Sequence, residues 1–171
     1  MASGSNKVLL INPPLDKLLQ APSGTLPALT GTLRSSGIRI AIDDLGSGYE
    51  LALACDIRIA ADEALIGSPE AKVTSSVTGG AMRLVQDLIG PGKARELLFT
   101  ADTIDGREAA RIGLVNTSVP LEELMSAAQE MAQKIAANSA FSLKMIKKGL
   151  LMARGEVSME ALMEYETEAC L

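Results

Sequence analysis

The 171-residue chain has no histidine and no tryptophan, and only two cysteines, two tyrosines and two phenylalanines. Without imidazole, Ser-His-Asp and Cys-His nucleophile systems lack their base and the usual zinc sites lack a ligand, so carboxylate chemistry is what remains. Two cysteines cannot build a disulfide framework of the small secreted type. Cys55 stands in an apolar run that reads as core, which fits a reduced, cytoplasmic setting. No apolar run approaches the roughly 18 residues of a membrane span, and no charged start leads into an apolar stretch, so neither membrane insertion nor secretion is expected. Positive charge is also short, with 16 Lys+Arg against 21 Asp+Glu and a net charge of −5. No basic stripe interleaves with aromatics, so nucleic acid is not an expected partner.

What is present suits one globular domain. Hydrophobic residues make up 47% and charged residues 22%, and a chain of this length can bury about 70% of its extended surface. With aromatics at 2%, the core must be filled by Ala, Leu, Ile and Val, with eight Met to fit irregular gaps. Met1 to Ser5 reads as a flexible leader.

Along the chain, Lys7 to Asn12 is a short β-rich run stopped by Pro13-Pro14, and Gly37 to Ile42 is a second. Leu26 to Leu33 between them is spaced like a helix, which together sketches β-α-β. A short helix from Tyr49 precedes a strand over Asp56 to Ala61. Helices then dominate: Ala81 to Leu88, Pro91 to Thr100 with proline in its first turn, and Asp105 to Ile112 ended by Gly113. Leu114 to Val119 is a last strand. Leu121, Leu124, Met125, Ala128, Met131, Ala132 and Ile135 recur at helical steps and predict one apolar face. Two more helices follow, Phe141 to Ala153 and Val157 to Ala169. Composition shifts near Leu45, which divides the chain into a divergent segment 1–44, a core 45–119 and a helical region 120–171.

Glu50 and Glu70 stand twenty positions apart, each beside a glycine turn, in Leu45-Gly46-Ser47-Gly48-Tyr49-Glu50 and Ile66-Gly67-Ser68-Pro69-Glu70. Glycines ahead of an apolar run permit a sharp turn, and free N–H groups at the start of a helix can hold a developing oxyanion. Two carboxylates near such a site can move protons if one is held neutral. Taken singly, Glu50 is an ordinary first-turn glutamate favoured by the helix dipole and Glu70 the start of a loop. It is their shared context that sets them apart.

Residues 45 to 70 resemble the crotonase superfamily, the enoyl-CoA hydratase/isomerase group, whose members carry L-G-G-G-x-E-L-A-L-A-C-D-x-R-I-A followed by F-G-x-P-E. The likeness continues through Gly79-Gly80-Ala81, Ile89-Gly90-Pro91-Gly92-Lys93-Ala94 and Ile112-Gly113-Leu114-Val115-Asn116, over roughly three quarters of the chain. It implies an α/β fold, a crotonase-like β-β-α superhelix core, truncated or rearranged at its N-terminus, with a helical C-terminal region. By position, Glu50 and Glu70 match the two catalytic glutamates. The backbone N–H groups of Ser47 and Gly48 match an oxyanion hole, Ser47 replacing the middle glycine. Gly46 and Tyr49 match substrate-binding positions. The implied chemistry is syn hydration of a 2-enoyl-CoA thioester, with coenzyme A as part of the substrate and no metal or other cofactor. The implied assembly is a homo-oligomer, a trimer or hexamer. Upstream of Leu45 no A-G-x-D segment, the family's source of a second oxyanion donor, occurs.

Other readings stand beside this one. A catalytically impaired crotonase-fold remnant, kept as an oligomerisation or interaction module, is the alternative, since losing one oxyanion donor costs about 10²- to 10³-fold in rate. Val8 to Pro14 with Leu29 to Gly37 also looks like the opening of cobalamin-binding domains attached to radical SAM enzymes. Gly37 to Tyr49 is similar to the Asp-Asp-Phe-Gly-Thr-Gly stretch of cyclic-di-GMP phosphodiesterase domains, so Asp43 and Asp44 are candidates for a separate metal or nucleotide site. Gly79-Gly80 is a tight turn or a phosphate cradle, Lys93 reads as helix surface, and Lys144, Lys147 and Lys148 form either a solvated face or a patch for nucleotide phosphates.

Overall fold

The structure, a computed structural model, describes residues 9–10, 40–43, 49–77, 80–155 and 157–169. These divide into two compact units, one running to Glu130 and the other from Met131 onward.

The first unit is organised by a sheet of β1 (Leu9–Leu10), β2 (Ile40–Asp43), β3 (Ile57–Ala61) and β4 (Thr117–Val119), in that spatial order. β2 runs parallel to β3, with Ile40 opposite Ile57 and Asp43 opposite Ala60, and β3 runs parallel to β4, with Ile59 opposite Thr117. β3 has a parallel neighbour on each side, and Arg58, Ile59, Ala60 and Ala61 are all buried. That is why its sequence does not alternate apolar with exposed polar residues, Arg58 being one charged residue among four apolar ones. β1 is antiparallel to β2, Leu9 pairing with Ile42 and Leu10 with Ala41. The β-α-β sketch implied parallel neighbours here. Strand-forming residues carry no mark of direction, which pairing alone decides, and the helix expected over Leu26 to Leu33 lies outside the described residues.

Helix α1 (Tyr49–Leu53) leads into β3 through a turn in which Cys55 N–H donates to the Ala52 carbonyl at 3.0 Å. Gly80, with φ 81°, opens α2 (Ala81–Thr100), a helix broken at Gly90, where φ 75° and ψ 161° are non-helical and Pro91 restarts the turn. The two helical segments predicted on either side of Gly90-Pro91 are therefore both present, meeting at a kink. α3 (Gly106–Arg111) starts where Asp105 accepts from the Glu108 N–H at 2.7 Å and Gly106 N–H donates to the Asp62 carbonyl at 3.1 Å. A Cβ on Gly106 would stand 1.9 Å from the Ala61 carbonyl oxygen, so only glycine lets the helix approach the end of β3 this closely. β4 starts three residues later than the predicted strand, because Leu114 and Val115 N–H both turn back to the Ala109 carbonyl.

After a 3₁₀ turn at Leu121–Glu123, α4 (Leu124–Ala136) buries Leu124, Ala128 and Ala132 at four-residue steps. Leu121 and Met125, placed on the apolar face by periodicity, are exposed instead. The buried stripe is one residue wide where the sequence pattern allowed two.

In the second unit, Ser139 caps α5 (Ala140–Ala153) and Ser158 caps α6 (Met159–Ala169). The two helices meet at Tyr165, whose hydroxyl donates to the Met145 carbonyl at 2.8 Å. A Cβ on Gly149 would stand 3.2 Å from that ring, and Lys148 Nζ lies 4.8 Å from its centroid. Phe141, Ile146, Leu150, Met159 and Met163 of this pair remain exposed.

Candidate active site

Tyr49 and Glu50 are the first two residues of α1, and β3 follows that helix after a short turn. Tyr49 is 4% exposed, whereas Glu50 is only half-buried. The second acid is held by a different device. Ile66 and Ile104 exchange backbone hydrogen bonds of 2.8 and 2.9 Å in an isolated bridge. Gly67 then passes so close to the next strand of chain that a Cβ would meet the Asp102 carbonyl oxygen at 2.8 Å. Buried Ser68 and then Pro69, with its fixed φ, launch a 3₁₀ turn over Pro69–Val73. Glu70 sits in its first turn, half-buried, and its carbonyl accepts the Ser75 N–H at 3.0 Å, closing the turn behind it.

The two acids meet, electrostatically, at the Tyr49 phenol. Its pKa is pushed up to about 12, first by burial, then by the negative charge of Glu70 and then by that of Glu50. A phenolate here would be both desolvated and opposed by two carboxylates, so Tyr49 keeps its proton at all physiological pH values. The arrangement thus offers two half-buried carboxylates whose charge reaches one neutral, buried phenol. Ser68 adds a hydroxyl donor, since its Oγ donates to Glu70 Oε2.

Of the residues selected from sequence, Tyr49, Glu50 and Glu70 are placed together in one unit, while Gly46, Ser47 and Gly48 lie outside the described residues, as does Asp44. Among the described residues no three Asp, Glu, Cys or His side chains are placed to hold a metal ion. Gly80 is a turn at the N-cap of α2, with its partner Gly79 outside the described residues. Lys93 pairs with Glu96 at 2.8 Å on the helix surface.

Two residues that bear on the site were not selected from sequence. Ser68 carries no signal beyond its place before Pro69-Glu70. Arg58 is the one charged residue in Ile57-Arg58-Ile59-Ala60-Ala61, and that isolation was its signal. It is 7% exposed, donating from Nε to the Leu114 carbonyl at 2.8 Å and from a terminal nitrogen to the Cys55 carbonyl at 2.5 Å. It ties the end of α1 to the segment entering β4.

The sequence model of the enoyl-CoA hydratase/isomerase family matches residues 43–168. The chain belongs to this family. A short-chain-enoyl-CoA hydratase of Clostridium acetobutylicum is 40% identical over 126 residues, covering 73% of this chain and 48% of that protein. A crotonyl-CoA hydratase of Syntrophomonas wolfei is 42% identical over 103 residues, or 60% of this chain and 40% of that one. The crystal structure of an enoyl-CoA hydratase from Bacillus anthracis superposes with a TM-score of 0.68 at 35% identity, covering 76% of this chain and 49% of that chain. The fold is therefore the α/β crotonase fold, and the chain spans about half the length of the enoyl-CoA hydratases it matches. No helix among the described residues is long and apolar enough to cross a membrane.

Proposed function

We propose that the protein acts on acyl-CoA thioesters by hydrating a 2-enoyl-CoA, with Glu50 and Glu70 as its acid and base. The observation that carries this reading is that the buried Tyr49 phenol feels the negative charge of both Glu70 and Glu50, in a chain of the enoyl-CoA hydratase/isomerase family. One carboxylate takes a proton from water as the water oxygen bonds to the β-carbon. The other, in its acid form, delivers a proton to the α-carbon, and the two share these roles across the same face of the double bond. Charge that builds on the thioester oxygen is met by N–H groups of Ser47 and Gly48. Gly46 and Tyr49 flank the acyl group, with Tyr49 supplying a neutral wall and donor. Coenzyme A enters as part of the substrate, no separate cofactor takes part, and the cytoplasm is the proposed compartment, where the buried free thiol of Cys55 stays reduced.

A second reading is favoured by the apolar side chains left exposed on α5 and α6, among them Phe141, Leu150 and Met163. It makes the chain a catalytically impaired module that self-associates, as a trimer or hexamer, through this region. Thermal unfolding with a short-chain acyl-CoA separates the two. A ligand present at about 100 times its Kd adds roughly 2.7 kcal/mol to the native state, raising Tm by several degrees. A cooperative transition that acyl-CoA leaves unmoved favours the module.

A further inference from the structure

Ser68 occupies the N-cap position of the 3₁₀ turn, where a serine ordinarily accepts a hydrogen bond from a backbone N–H of the first turn. It makes no such bond. Its hydroxyl instead donates to Glu70 Oε2, two residues on, and among the described residues no other hydrogen bond engages that carboxylate. The backbone on either side of Ser68 is constrained. Gly67 has no room for a side chain, Pro69 fixes its own φ, and Ser68 is 4% exposed. Glutamate, by contrast, has three side-chain torsions and would otherwise scatter its carboxylate over several rotamers. A buried donor that grips one oxygen selects a single placement and leaves Oε1 to exchange protons.

We propose that Ser68 is a positioning residue for Glu70, its hydroxyl fixing the carboxylate in the orientation that proton transfer requires. The proposal rests on the reading of Glu70 as an acid/base residue and adds to it what holds that residue in place. A hydroxyl that only orients a catalytic group acts on turnover and not on substrate binding, and it has no effect once that group is gone.

The test is steady-state hydration of a short-chain 2-enoyl-CoA by the full chain and by Ser68→Ala, Glu70→Gln and the double variant, with enzyme concentration raised to bring residual rates into range. Ser68→Ala is expected to lower kcat about 10- to 100-fold, the weight of one hydrogen bond to a charged group, with KM within about twofold. In the Glu70→Gln background the same substitution is expected to change nothing further. If Ser68→Ala turns over like the parent while Glu70→Gln is crippled, or if its loss is undiminished in the double variant, the positioning role is wrong and the acid/base reading stands. If Glu70→Gln matches the parent, or the parent hydrates nothing, the acid/base reading fails and the positioning role falls with it.

Discussion

Arg58 Nε donates to the carbonyl oxygen of Leu114 at 2.8 Å, joining β3 to a segment 56 residues away. Through its terminal nitrogen the same guanidinium also serves the Cys55 carbonyl, so one buried side chain satisfies acceptors on both flanks of the strand. Arg58→Met should leave those carbonyls without donors and cost about 3 kcal/mol. Arg58→Lys should recover little of it, because a single ammonium lacks the planar fork that reaches both. Urea unfolding midpoints of the two variants check this, and a lysine variant as stable as the parent would contradict it.

The contact of Gly106 with the end of β3 predicts a sharp difference between two glycines. Gly106→Ala puts a methyl 1.9 Å from the Ala61 carbonyl oxygen, so α3 must move, and a loss of about 3 kcal/mol or more is expected. A Cβ on Gly92, within α2, meets nothing within 4 Å. Gly92→Ala should therefore stabilise the protein by about 0.5–1 kcal/mol through helix propensity. Differential scanning calorimetry of both variants would show Tm moving in opposite directions.

Tyr49 gives a pH dependence of definite sign. Its folded-state pKa, about 12, lies above the ordinary phenol value of 10.0, so the folded protein holds the proton more tightly than the unfolded chain. The stabilisation is complete below about pH 10 and is lost as pH rises towards about 12, amounting to roughly 2–3 kcal/mol. Chemical denaturation across that alkaline range should show the loss in the parent, and Tyr49→Phe should remove this part of the slope. A variant with the parent's alkaline slope would mean that Tyr49 is not held in the environment described.

The parts of this molecule legible in its sequence are those that depend on neighbours along the chain. Gly90-Pro91 announces a break because a proline cannot continue the preceding turn, and Leu124, Ala128 and Ala132 announce a helix face by their spacing. Glu50 and Glu70 stand out in the sequence for the same reason, each set in a short run of turn-forming residues. What depends on distant chain does not. The antiparallel direction of β1 is a property of its pairing with β2, and the exposure of Met125 depends on which side of α4 the rest of the first unit covers. Ser68 carries no mark in the sequence because the significance of its hydroxyl lies in which oxygen it grips, and the match of Tyr49 to a substrate-binding position gives no sign that the charge of both acids bears on it.

The exposed apolar side chains of α5 and α6 predict self-association. Leu150→Lys combined with Met163→Lys places two charges among residues that are exposed in the single chain, so folding should be unaffected. If these surfaces join copies of the chain, sedimentation should shift from a trimer or hexamer towards the monomer. An unchanged oligomer would place the interface elsewhere.

The most direct test of the account is the rate of 2-enoyl-CoA hydration by the full chain, followed through loss of the conjugated thioester absorbance, beside Glu50→Gln and Glu70→Gln. General acid and base catalysis each contribute about 10²- to 10⁴-fold, so hydration by the parent with a fall of that size in either variant is the predicted result. Hydration that survives both substitutions, or its absence from the well-folded parent, would contradict the assignment of these two carboxylates to catalysis.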